Sequence, residues 1–170
     1  FLTVNVDQEA NHFFDIVQNK FNFIKDILID SSGINTTINI LGKKKISRNG
    51  MHYLGRSYLF KKCSLSVSDS YNNILSIGNS PLSNEINIEI ELNFNEIKFY
   101  SILEDIIFSN LIYNNILPVH SSALYFKGRG YLFPAWGGVG KTRLLLNALS
   151  MDSVIISDEW NFIYQQELFP

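Results

Sequence analysis

The sequence predicts a mixed α/β chain: an α+β part over residues 1–95, made of a helix and an antiparallel β-meander, followed by a glycine-loop α/β unit over 96–170. Three observations carry this. Apolar residues recur at three- and four-residue steps from Phe13 to Leu28. They alternate strictly with polar ones from Ile86 to Phe94. A glycine-rich turn then joins an apolar strand at Tyr131–Phe133 to a leucine-rich helical pattern opened by Lys141-Thr142.

In chain order, Asp7 can cap a helix over Gln8–Ile29, with Phe13, Ile16, Val17, Phe21, Ile24, Ile27 and Leu28 on one face and Ser31-Ser32-Gly33 ending it. A strand is expected over Ile34–Leu41, closed by Gly42. Short β-like runs follow about Met51–Phe60, Ser64–Ser68 and Ile74–Ile77, separated by Gly, Asn, Asp and Ser. Across Ile86–Phe94 the alternation makes one face dry and the other wet. From Phe99 to about Asn115 the pattern turns helical, and Leu103, Ile106, Ile107, Phe108, Leu111 and Ile112 leave so few polar positions that burial on more than one side is expected. Asn114-Asn115 and Pro118 end it. Val119–Phe126 and Gly130–Phe133 then read as a hairpin turning at Lys127-Gly128-Arg129. The change near residue 96 has no Pro- or Gly-rich linker, so the two parts could pack as one body.

Composition excludes several classes. With 170 residues, 46% hydrophobic and 18% charged, the chain can bury a real core and does not read as disordered. A net charge of −2 says little about partners, but Lys43, Lys44, Lys45, Arg48, Arg56, Lys61 and Lys62 fall in a stretch without an acid. That stretch reads as a solvated hairpin edge whose lysines block edge pairing, with an acidic peptide or nucleic acid as the disfavoured alternative. Cys63 is the single cysteine, which rules out an internal disulfide, fits a reducing compartment and is best read as a small buried hydrophobe. No apolar run approaches the ~18 residues of a membrane span, and the start does not read as a signal peptide, so a cytoplasmic protein with no membrane partner is expected. His12 and His52 lack metal-ligand spacing. The chain opens on Phe1 and closes on Glu167-Leu168-Phe169-Pro170, which reads as a trimmed front and an interrupted C-terminus.

The chemistry concentrates between Leu132 and Glu159. Gly137, Gly138, Val139 and Gly140 can curl around an anion and aim successive amides at it, helped by the partial positive charge of the helix that follows. Lys141 reaches terminal phosphates, Thr142 can ligate Mg²⁺, and Arg143 either faces phosphate or sits solvated in the first turn. The pattern is G-x-x-x-x-G-K-[ST] with Ala135 in place of the first glycine. Val154, Ile155, Ile156 and Ser157 read as a buried strand delivering Asp158-Glu159 beside the loop, as in an open α/β sheet. A cap or turn role is the alternative for Asp158. Trp136 either covers a nucleotide or packs under the loop.

The order His120-Ser121-Ser122-Ala123, hairpin, phosphate loop, helix, strand and Asp158-Glu159 resembles the core of HPr kinase/phosphorylase and its relatives, which share a fold with phosphoenolpyruvate carboxykinase and include kinases acting on protein serine, free serine and precursor peptides. The matching residues run from 120 to 159. Ala135, Gly137 and Glu159 depart from the family's first loop glycine, loop serine and second aspartate. The resemblance implies an ATP- and Mg²⁺-dependent kinase for a serine on a protein or peptide. In it Gly138, Val139 and Gly140 hold the β-phosphate and Lys141 the β- and γ-phosphates. Thr142 and Glu159 serve the metal, Asp158 is the base, and His120 contacts the γ-phosphate or orients Asp158. A nucleotide-binding regulatory module without transfer is the alternative, an NTPase driving a conformational change is a third reading, and homo-oligomerisation is left open.

Overall fold

Alternating isoleucines organise the first half of the chain. The computed structural model describes residues 2–21, 36–54, 58–61, 64–79 and 84–164. Among these, the first compact unit, Phe1–Asn114, runs β1 (Leu2–Val6), α1 (Asn11–Phe21), β2 (Thr36–Lys43), β3 (His52–Leu54), β4 (Tyr58–Lys61), β5 (Ser64–Ser68), β6 (Ile74–Gly78), β7 (Glu85–Glu91) and α2 (Glu96–Tyr113). The second, Asn115–Pro170, runs β8 (Ile116–Phe126), β9 (Arg129–Pro134), α3 (Lys141–Leu149), β10 (Val154–Ser157) and β11 (Trp160–Tyr164). Among the described residues, two sheets and three helices make an α+β fold.

The strands of the first unit form one sheet in the order β1-β2-β7-β6-β5-β4-β3. β1, β2 and β7 run parallel, and β7 back to β3 is the predicted antiparallel meander. Register aligns Ile38 with Ile86 and Ile40 with Ile88, so the alternation read from the sequence becomes a dry face on which all four are fully buried. Helices cover that face: Phe99, Leu103 and Ile107 of α2 are fully buried, and the Phe99 ring meets Phe13 of α1 at 4.7 Å between centroids. The other face is wet, with an amide ladder in which Asn5 donates to Asn39 (2.9 Å) and Asn39 to Asn87 (3.0 Å).

Several expected boundaries move for local reasons. Asn95 Oδ1 accepts from the Lys98 amide at 2.9 Å, so this cap starts α2 at Glu96, ahead of the expected Phe99. α2 lies within the first compact unit, whereas the sequence placed the change of unit near residue 96. Its apolar stripe completes the isoleucine core, and that binds it to what precedes it. α1 begins at Asn11 and not at the expected Gln8, so Asp7, which accepts from the Ala10 amide at 2.8 Å, closes the turn ahead of the helix, and both its oxygens also take the Gly42 amide at 3.1 Å. Gly42 does not close β2 but lies within it, where a Cβ would come within 2.8 Å of the Ala10 backbone. Residues 22–29 of the expected first helix, and its end at 31–33, lie outside the described residues. So do Arg56, Lys62 and Cys63. Lys43 ends β2, which lies between β1 and β7 in the sheet, and Lys44, Lys45 and Arg48 are exposed in the loop that follows, around a buried Ile46, so this part of the basic stretch is not the hairpin edge predicted for it.

In the second unit β8 is the middle strand. β9 and β10 flank its second half and β11 pairs with its first half, all antiparallel to it. β9 and β10 are therefore parallel to each other with β8 between them. The strand that carries Asp158 is thus antiparallel to the middle strand, and the ends of β9 and β10 still come to the same edge. The hairpin turns on Lys127 (φ 49°) and Gly128 (φ 81°). β10 is not the buried strand predicted, because among the described residues it pairs only with β8, and Val154 and Ile156 are 61% and 60% exposed. No helix among the described residues is long and apolar enough to cross a membrane.

Candidate functional site

β9 runs to Pro134, whose register partner is Ser121, and the chain then leaves the sheet for the loop 135–140. Gly138 (φ 80°) and Gly140 (φ 97°) occupy left-handed backbone, and a Cβ on either would meet nothing within 4 Å, so conformation and not crowding calls for glycine here. Ala135 is absent from the positive-φ positions, and alanine therefore fits the first glycine site without backbone strain. The amides of Gly137, Gly138, Val139 and Gly140 donate to no group among the described residues. α3 begins with no side-chain cap and no acid in its first turn. Its N-terminal partial positive charge is left for an anion.

Lys141 folds back along the loop, its Nζ donating to the Ala135 carbonyl at 2.8 Å. Thr142 Oγ1 donates to Asp158 Oδ2 at 2.6 Å. Asp158 follows β10 directly, and a register slip between Ile155 and Ser157 breaks the ladder just before it, the kind of bulge that re-aims a side chain. Its other oxygen takes the Ser122 hydroxyl at 2.6 Å. These two bonds, Ser122 first and Thr142 second, hold Asp158 below the usual carboxylate range against the opposing effect of burial, with a lesser contribution from the charge of Lys141. The carboxylate is thus ionised at neutral pH, beside the helix N-terminus.

The loop, Lys141, Thr142 and Asp158 therefore come together as one constellation. Other predicted residues stand apart from it. The Glu159 carboxylate is exposed and has no hydrogen-bond partner among the described residues, while its carbonyl accepts from the Ser121 amide at 2.8 Å. Arg143 is exposed and likewise unpaired among them. His120 makes no hydrogen bond to Asp158; its ring lies 5.1 Å from that of Trp160, and the orienting of Asp158 falls to Ser122 and Thr142. Trp136 is 88% exposed, so it does not pack under the loop.

Ser122 was not singled out from the sequence. It is fully buried, yet its hydroxyl is one of two holding the carboxylate. Its only sequence signal was its place two residues beyond His120, on the same face of a strand. A cap role for Asp158 finds no support, since its oxygens take hydroxyls and not the amides at the start of a helix. No group of three or more His, Cys, Asp or Glu that could hold a metal occurs among the described residues. Mg²⁺ does not require one, because it binds through one or two carboxylates, hydroxyls, water and substrate phosphates. Thr142 and Asp158 are hard oxygen donors of that kind. No protein-family model, curated protein or solved structure matches this chain.

Proposed function

We propose that this chain is an ATP-dependent kinase that transfers a γ-phosphoryl group to a serine hydroxyl of a protein or peptide, in the manner of HPr kinase and its relatives. One observation carries the reading. A carboxylate held ionised by Thr142 and Ser122 stands beside Lys141, at the mouth of a turn whose amides are unspent.

Phosphoryl transfer asks a protein mainly for positioning and for neutralising charge. The amides of Gly137 to Gly140 and the start of α3 would hold the inner phosphates, and Lys141 would exchange the Ala135 carbonyl for the terminal ones. Thr142 and Asp158 are the residues that would hold Mg²⁺, which when bound neutralises the phosphate oxygens. In the reaction the serine oxygen forms a bond to the γ-phosphorus as the bond to the β-bridging oxygen breaks. ADP leaves, and the serine proton passes to Asp158 or to solvent. Asp158 is a weak base at its lowered pKa. It can still serve because the proton moves late, when the hydroxyl has already become acidic.

A second reading is favoured by the same geometry. Both oxygens of Asp158 are already engaged by hydroxyls, which suits an acid that senses nucleotide and metal more than one that accepts a proton, and the chain would then be a nucleotide-responsive module. Incubation with γ-labelled ATP, Mg²⁺ and serine-containing peptides separates the two. Label on peptide serine is the expected result; tight ATP binding with no labelled product would leave the module.

A further inference from the structure

Trp136 is the one large side chain of the loop, and a solvated indole adds nothing to the packing of the second unit. With His120, Pro134 and Ala135 it walls an open cleft of about 380 Å³. None of the four carries a permanent charge, and His120 is backed by the Trp160 ring.

Lys141 tells which end of the phosphate site this cleft adjoins. In loops of this kind the lysine meets the outermost phosphates, and here its ammonium rests on the Ala135 carbonyl. Ala135 therefore marks the end of the loop where the transferred group sits, and the same residue lines the cleft. His120 precedes Ser122 by two on β8, so it stands on the strand face that carries the Ser122–Asp158 bond. The cleft thus opens where an acceptor approaches, and the first turn of α3 serves the inner phosphates.

Resting on the kinase reading above, we infer that this cleft is an acceptor subsite that seats an apolar or aromatic side chain adjacent to the phosphorylated serine, between the Trp136 indole and the His120 imidazole. Its walls offer stacking and apolar contact. They hold no permanently charged group, so an acidic or basic neighbour would lose hydration on entering with only the His120 imidazole and backbone carbonyls to bond.

The test uses peptides that differ only in the residue beside the serine: Phe, Leu, Asp or Lys. The expected result is a kcat/KM about tenfold higher for Phe and Leu, a preference erased by Trp136→Ala with ATP affinity unchanged. The chain has two tryptophans, so Trp160→Phe leaves Trp136 as the sole emitter, and binding of the Phe peptide should shift its emission to the blue. Equal phosphorylation of all four peptides would overturn the subsite while leaving the kinase in place. So would a Trp136→Ala variant that loses affinity for ATP but not for inorganic triphosphate, which would put the nucleobase on the indole. No phosphopeptide from any of the four, with ATP still bound, would remove the transfer reading and the subsite with it.

Discussion

The two compact units differ in what fills their most deeply buried strand positions, although each buries both kinds of side chain: Thr36 and Ser66 lie in the first core, Ile116 and Leu124 in the second. In the first, fully buried positions are filled by Ile38, Ile40, Leu75, Ile86, Ile88, Ile90, Phe13 and Phe99; in the second, Ser121 and Ser122 lie fully buried while Leu117, Leu146, Val154 and Ile156 are exposed. The difference follows from what each sheet is used for. β7 gives Ile86, Ile88 and Ile90 to apolar packing, which is directionless and scales with area. The middle of β8 gives two buried positions, Ser121 and Ser122, to hydroxyls that make directed hydrogen bonds, one as donor and one as acceptor. Ser122 takes hold of Asp158, and Ser121 receives the Asn161 amide at 3.1 Å. On the proposed reading, the first arrangement serves stability and the second serves the site, where departures from apolar patterning are expected.

Replacing Asp158 should expose this contrast most strongly. Asp158→Asn keeps the shape but sets an amide in place of an oxygen that now accepts from a hydroxyl. Transfer should fall by about 10³-fold, the scale of removing a positioned acid or base. ATP affinity measured without Mg²⁺ and thermal stability should change little. Single-turnover transfer alongside equilibrium ATP binding measures both, and unchanged transfer would take Asp158 out of the chemistry.

Ile88→Ala sharpens the other side. Ile88 is fully buried on β7, opposite Ile40 of β2 and Ile77 of β6, so the cavity has packed strands on both sides. A loss of about 3 kcal/mol is expected, read as a lower denaturant midpoint by far-UV circular dichroism. A loss below about 1 kcal/mol would mean that the isoleucine face relaxes around the gap and is not the rigid core described.

How much of this could be read from the chain depends on the range of the interactions. The glycine loop and the strand leading to Asp158 were legible because their signals are local: turn residues, a Lys-Thr pair and a short apolar run. The alternation in β7 was legible for the same reason. β1 and β11 were not foreseen, because five-residue strands carry little periodicity and β1 pairs in parallel with β2 across a long intervening segment. The exposure of β10 was hidden too, since an apolar run looks the same on an edge as in a core. The role of Ser122 depends on β8 pairing with β10, which closes a separation of 36 residues to a single hydrogen bond. No window along the sequence contains both partners.

The smallest effect concerns a pair of aspartates, one in each unit. Like Asp158, Asp69 is held below its ordinary pKa, although burial works against this; hydrogen bonds from the Asn73 side chain and amide, and from the amides of Asn95 and Tyr71, outweigh it. Most of these donors are backbone groups in the turn after β5 and at the cap of α2, so the charge is stabilised by the fold itself. Since the folded value is the lower one, the stability that Asp69 contributes is fully present above the unfolded value of about 4 and is lost as pH falls through the folded one. Asp158 is held by two rotatable hydroxyls, which a ligand can draw away. Asp69→Asn should therefore flatten the fall in unfolding midpoint below about pH 4, whereas Asp158→Asn should flatten it less, and less still once nucleotide and Mg²⁺ are added. Denaturant titrations at stepped pH distinguish the variants. A steeper dependence lost with Asp158 than with Asp69 would show that the acid in the site, and not the one in the turn, is the more firmly held.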